Sequence, residues 1–176
     1  MTAFRYIVLL PVFVAGLSVS AQNRGLNGER TKRLMELPPF ERAVLVIKRY
    51  ETLHRPSDWP YIGYGHHVRE GEPYHRGTQL TEREADRLLR RDLEKRCSTF
   101  RRFGRDSLLL ATLAYQVGES RLLGGGKRHK SRLIRKLEAG DRNIYKEYVS
   151  FRKWKGKTVP SIERRRKVEL LLLYDP

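Results

Sequence analysis

Cysteine is almost missing from this chain: Cys97 is the only one in 176 residues. One thiol closes no intramolecular disulfide, so stability has to come from packing. There is no Cys-x-x-Cys pair and no Cys/His cluster, which removes the zinc-binding spacings and leaves no metal site indicated. Acidic residues are scarce beside basic ones, 20 Asp+Glu against 37 Lys+Arg, for a formal charge of +17. Long apolar runs are also lacking. The stretch from Tyr6 to Leu17 is shorter than the ~20 residues a membrane-spanning helix needs, and it contains Pro11. No internal repeat or low-complexity tract interrupts the chain.

What is present is enough for one globular domain. Nine Tyr, six Phe and two Trp, together with several Leu-rich runs, can bury enough apolar surface to offset chain entropy, which disfavours a disordered chain. At the N-terminus Arg5 precedes the apolar run, and the small segment Ser18-Val19-Ser20-Ala21 follows it. Residues 1–21 therefore read as a secretory signal peptide cut after Ala21, which puts the remaining chain in the periplasm or outside the cell. Residues 22–37 are polar with two glycines and read as a flexible leader, and 38–176 as the folded domain.

Export removes only Arg5 from the balance, leaving +16. A charge of this size calls for a polyanionic partner: nucleic acid, an anionic membrane surface or the acidic polymers of a cell wall. Export opposes nucleic acid. The charge is also dispersed in short runs, such as Lys127 to Arg132 and Arg164 to Lys167, which read as solvated helix faces that give solubility and general adhesion.

From Phe40 the apolar positions Phe40, Val44 and Ile47 recur at helical spacing and predict a helix that ends near Glu51. Residues 52–60 form a loop. Tyr61–Val68 is rich in β-formers with alternating glycines and reads as a strand, with Tyr74–Leu80 returning as its partner. Thr81-Glu82-Arg83-Glu84 is a capping box that opens a long amphipathic helix with Cys97 as an ordinary core residue. The run from Asp106 to Gly118 is apolar on nearly every side, which describes a central buried helix. Three more helices are predicted: Ser131–Ala139 stopped by Gly140, Asp141–Trp154 opened by an Asp cap, and Ser161–Tyr174 after Pro160. The fold class is α+β, with a small sheet followed mostly by helices.

Glu51 is the most informative residue. It lies four positions after Ile47, so it extends an apolar stripe, and it ends its helix at the negative pole of the macrodipole. Both settings favour the protonated carboxyl, as a general acid requires. Glycoside hydrolysis needs that acid and a second carboxyl across the scissile bond. Asp58 is the nearest candidate, and seven residues reach about 23 Å when extended, ample for the roughly 5–9.5 Å separations such pairs use. The plainer alternative is that Glu51 pairs with one of the many arginines and Asp58 caps a turn.

Six ordered motifs then narrow the field. They are Ile47-Lys48-Arg49-Tyr50-Glu51, Ile62-Gly63-Tyr64-Gly65-His66, Leu80-Thr81-Glu82-x-Glu84-Ala85, Ala114-Tyr115-Gln116-Val117-Gly118, the segment from Leu133 to Asp141, and Trp154-Lys155-Gly156-Lys157 through Pro160 to Arg164-Arg165-Arg166-x-x-Glu169. Over residues 40–174 this set resembles the phage-type lysozymes, glycoside hydrolase family 24. The resemblance implies a small sheet-bearing lobe, a larger helical lobe and an active-site cleft between them. It implies cleavage of the β-1,4 bond between N-acetylmuramic acid and N-acetylglucosamine of peptidoglycan, without cofactor or metal. Glu51 matches the family's catalytic acid, and His66 its structural histidine that ties the sheet to the helices. His67, Tyr115, Ser131 and Tyr148 fall near positions that contact saccharide.

The chain departs from that family in its loop after Glu51, which is shortened, and in Tyr61, which stands where the family places a Thr that helps hold the hydrolytic water. Asp58 or His54 is expected to compensate by activating water opposite Glu51, with Tyr61 orienting it. The expected function is an exported muramidase acting as a monomer on glycan strands. Remodelling the wall for an envelope-spanning secretion or conjugation apparatus is the expected setting. The competing expectation is a peptidoglycan-binding protein that keeps the shape without turnover. Specific nucleic-acid binding is the weakest, given export and the scattered charge.

Overall fold

The structure is a computed structural model that describes residues 32–175. The predicted signal peptide and the first part of the leader lie outside the described residues. The chain divides at Pro38 into two units. In the first, residues 32–36 are helical, where the sequence predicted a flexible leader.

The second unit begins at helix α1 (Pro39–Glu51), with a proline at its first position, where no intrahelical N–H is needed. Its Ala43, Val44, Val46 and Ile47 are buried. A 3-10 turn at Pro56–Asp58 leads to strands β1 (Tyr61–Ile62) and β2 (His66–His67). Helix α2 (Glu82–Thr99) follows, with both arms of the Thr81/Glu84 capping box formed. Then come α3 (Ser107–Val117), α4 (Glu119–Leu123), α5 (Arg132–Glu138) and α6 (Tyr145–Val149). The hairpin β3 (Lys153–Trp154) and β4 (Lys157–Thr158) precedes the last helix, α7 (Pro160–Leu173).

Helix α3 is the spine, buried without interruption from Leu109 to Tyr115, and it packs against α1, α2, α4 and α7. Helix α1 lies against α7 and α3. Polar clamps fix it further. Arg90 of α2 grips Glu41 through two hydrogen bonds of 2.6 and 2.8 Å, and Arg42 donates to the Leu172 carbonyl at 2.7 Å.

Two sequence expectations fail at short strands. Tyr61–Val68 is not one strand paired with 74–80. It folds on itself, Tyr61 opposite His67 and Ile62 opposite His66, because Gly63 and Gly65 take φ of +55° and +95° and reverse the chain between them. Asp141–Trp154 is not one helix either. Asp141 caps a local turn, accepting from Asn143 N–H at 2.8 Å, and only Tyr145–Val149 is helical. Trp154 then enters a hairpin whose two-residue loop, Lys155-Gly156, has positive φ at both positions, as a type I′ turn requires.

His66 ties the β1–β2 hairpin to α2. Its buried ring presents Nδ1 to Asp92 Oδ2 at 2.5 Å and Nε2 to Glu72 Oε2 at 2.8 Å. Burial pushes its pKa down, but the hydrogen bonds to the two carboxylates outweigh burial and hold it above the ordinary histidine value. For Glu72, burial pushes upward, while the hydrogen bonds from His66 and from Arg69 N–H win and hold the carboxyl low. A raised histidine contributes stability that is complete below its unfolded pKa of about 6.5 and is lost as pH rises through the folded value. A depressed carboxylate contributes above its unfolded pKa, and that contribution is lost as pH falls through the folded value. The hairpin is therefore held best in mildly acidic solution. His66→Gln is expected to remove about 2–3 kcal/mol there and to flatten the loss of stability on the alkaline side, as read by denaturant unfolding across the pH range.

Candidate active site

The site forms where α1 ends. Thr52 takes φ of +51°, a left-handed conformation that is costly for a β-branched residue, and turns the chain out of the helix directly after Glu51. The loop is then stitched to the hairpin: His54 N–H donates to the Gly63 carbonyl at 2.8 Å, and Val68 N–H to the Pro60 carbonyl at 2.9 Å. These bonds bring His54 beside Gly65.

The Glu51 side chain is 14% exposed, and its two oxygens have different neighbours. Oε1 accepts a hydrogen bond from Arg165 Nη1 of α7. Oε2 lies on the side of Gly65, 3.6 Å from the place where a β-carbon on that glycine would stand. Arg165 is wholly buried and also donates through Nε to Glu169 Oε1 at 2.8 Å. Glu169 in turn accepts from the Tyr148 hydroxyl at 2.8 Å, and its Oε2 lies 3.1 Å from Arg166 Nη1, an ion-pair contact outside hydrogen-bond alignment. Burial opposes the Arg165 charge, yet Glu51 and Glu169 outweigh it and raise its pKa above that of a free arginine.

Glu51 therefore does not meet hydrocarbon alone, as its stripe position predicted; a guanidinium covers one of its oxygens. The plainer alternative, that Glu51 pairs with an arginine, is what the structure shows at Oε1, while Oε2 faces Gly65. Asp58 caps a turn as the plainer alternative held: its Oδ2 accepts from Arg55 N–H at 2.9 Å. The same oxygen lies 3.5 Å from His54 Nδ1, so the cap is also a contact to the imidazole.

The phage lysozyme family profile matches residues 48–169, from just before Glu51 to Glu169. The chain belongs to the phage lysozyme family. Its fold is similar to that of an endolysin from Escherichia coli O157:H7 phage FAHEc1, at 22% identity and a TM-score of 0.58 over 76% of this chain and 90% of that one. It is similar as well to the muramidase domain of SpmX from Asticaccaulis excentricus, at 23% identity and a TM-score of 0.60 over 76% of this chain and 95% of that one. No curated protein matches the sequence. The lysozyme-like α+β architecture is thus established: mostly helical, with small antiparallel sheets.

Within this lysozyme-family fold the other sequence-predicted residues are placed unequally. Tyr61 begins β1, its ring 6.0 Å from His54 and 5.0 Å, edge-on, from exposed His67, so the three rings form a row along the loop and hairpin. Tyr115 is largely buried, with its hydroxyl donated to the Tyr64 carbonyl at 3.0 Å, Arg96 stacked on its ring at 4.8 Å, and only an edge carbon near Gly65. Ser131 caps α5, accepting from Ile134 N–H at 3.3 Å. Tyr148 has no exposed surface and spends its hydroxyl on Glu169, so it belongs to the buried network and meets no sugar.

Sequence reasoning missed Arg165, Arg166 and Glu169 as site residues. The run Arg164 to Lys167 read as a solvated face, whereas Arg165 and Arg166 are buried. The i, i+4 spacing from Arg165 to Glu169, next to buried Leu170, was the available signal. A cavity of about 630 Å³ lies elsewhere, lined by Arg102, Arg105, Asp106, Glu138 and Arg142 among others. Its guanidinium groups are matched by Glu138, Asp175 and Asp106, and it contains none of the Glu51 neighbours.

Proposed function

We propose that this chain is an exported peptidoglycan hydrolase, a muramidase that cuts the β-1,4 bond between N-acetylmuramic acid and N-acetylglucosamine with Glu51 as proton donor. The observation that carries the proposal is the division of labour in the Glu51 carboxyl. Oε1 is pinned by a buried guanidinium, and Oε2 is left toward Gly65. A proton on this carboxyl sits on Oε2, since Oε1 already accepts from Arg165, and that proton is delivered to the leaving O4 as the glycosidic bond breaks. Membership of the phage lysozyme family and the fold shared with a muramidase domain support the same reading.

Export follows the signal-peptide reading of residues 1–21, and the strong positive charge draws the enzyme onto an anionic envelope. Local opening of the wall for a secretion or conjugation apparatus is the setting that the signal-peptide reading favours. Incubation of the purified chain with peptidoglycan tests the function. Soluble muropeptides with new N-acetylmuramic acid reducing ends, released more slowly as salt screens the charge, are expected. Saccharide binding without any such release identifies a wall-binding protein instead.

A further inference from the structure

Hydrolysis needs a group that takes a proton from the attacking water as well as one that gives a proton to the leaving oxygen. The loop after α1 offers Asp58 and His54, and their surroundings differ. Asp58 Oδ2 already faces the Arg55 N–H and the His54 Nδ1 edge. The other ring nitrogen of His54, Nε2, lies 3.8 Å from the point where a Gly65 β-carbon would stand, and Glu51 Oε2 is 3.6 Å from that point. Gly65 has φ of +95°, which other residues rarely adopt, so the point stays open. Its third neighbour is a ring carbon of buried Tyr115, 3.8 Å away. Glu51 Oε2 and His54 Nε2 therefore border the same point beside Gly65.

We propose that His54, oriented by Asp58, is the base that activates the hydrolytic water. The proposal rests on the muramidase reading and names the second half of its machinery. A carboxylate oxygen 3.5 Å from Nδ1 favours the tautomer that carries the proton there and leaves the Nε2 lone pair to accept. As the C1–O4 bond breaks, Glu51 gives its Oε2 proton to O4. The water oxygen forms the new bond to C1, and the proton it loses goes to His54 Nε2. After the product leaves, a water seated beside Gly65 returns that proton from Nε2 to Glu51 Oε2, and the cycle closes with nothing else consumed. Attack from the face opposite the leaving group inverts the anomeric carbon, so the new reducing end is born as the α-anomer. Asp58 is a positioning residue in this scheme.

The test compares the full chain with its Glu51→Gln, His54→Ala and Asp58→Asn variants on purified peptidoglycan, with and without sodium azide. His54→Ala is expected to lose about 10²–10⁴-fold in kcat while keeping its melting temperature. Azide, which needs no deprotonation, is expected to restore part of that loss and to leave muropeptides ending in a glycosyl azide, detectable by mass. It does not restore Glu51→Gln, which still lacks the donor. Asp58→Asn is expected to lower kcat by a smaller factor with little change in KM. If His54→Ala melts early, His54→Gln replaces it in the same assay. An inactive Glu51→Gln beside a His54 variant that works at the wild-type rate overturns the role of His54 and leaves the muramidase reading standing. A folded, inactive His54 variant that azide does not rescue, or a β-anomeric first product from wild type, overturns it too. If the wild-type chain releases no muropeptide, the muramidase reading itself fails and His54 falls with it.

Discussion

Arg165→Met is expected to lower folding stability by about 3–5 kcal/mol, seen as a fall in melting temperature of about 10 °C or more. The guanidinium lies between two carboxylates, Glu51 at the end of α1 and Glu169 one turn along α7. Glu169 has no exposed surface, so it cannot recover the lost partner from water. Taking away one member of such a network leaves an uncompensated buried charge, which costs more than the network contributes when intact. Arg166 does not fill the gap. It reaches Glu169 by an ion-pair contact only, and Gln116 takes its Nη2 hydrogen bond.

The double variant Arg165→Met with Glu169→Met is expected to be less destabilised than the sum of the two single changes. Removing both partners restores the balance of buried charge, with Glu51 and Arg166 remaining, and leaves methionine to fill the volume. Activity separates from stability here. The double variant loses the group that occupies Glu51 Oε1, so the carboxyl is no longer held with Oε2 toward Gly65, and turnover is expected to stay low even where the fold recovers.

The parts of this fold that were readable from sequence are those governed by local rules. The Thr81/Glu84 box set the start of α2, the unbroken apolar run set the buried spine α3, and Pro160 opened α7. Glu51 stood out because helical spacing alone put a carboxyl at the end of an apolar stripe. The hairpins were hidden because strands of two residues carry no alternation to detect. They are set by positive-φ positions at Gly63, Gly65, Lys155 and Gly156. The Glu51–Arg165 pair was hidden for another reason. Its partners are 114 positions apart, and the spacing from Arg165 to Glu169 on α7 does not say that Glu51 is the second partner. Tyr148 was misplaced because similarity of position in a family does not report burial, and here the phenol is a ligand of Glu169.

The two oxygens of Glu51 give the most direct test. Glu51→Gln keeps an acceptor for Arg165 and nearly the same volume, so the variant should fold and bind glycan, but its amide has no carboxyl proton to give. Digestion of purified peptidoglycan by wild type and Glu51→Gln, at a temperature where both are folded and with products resolved by mass, is expected to show N-acetylmuramic acid-ended fragments from wild type and at least about a 100-fold slower release from the variant. Equal release by the two proteins would contradict the assignment of Glu51 as the proton donor.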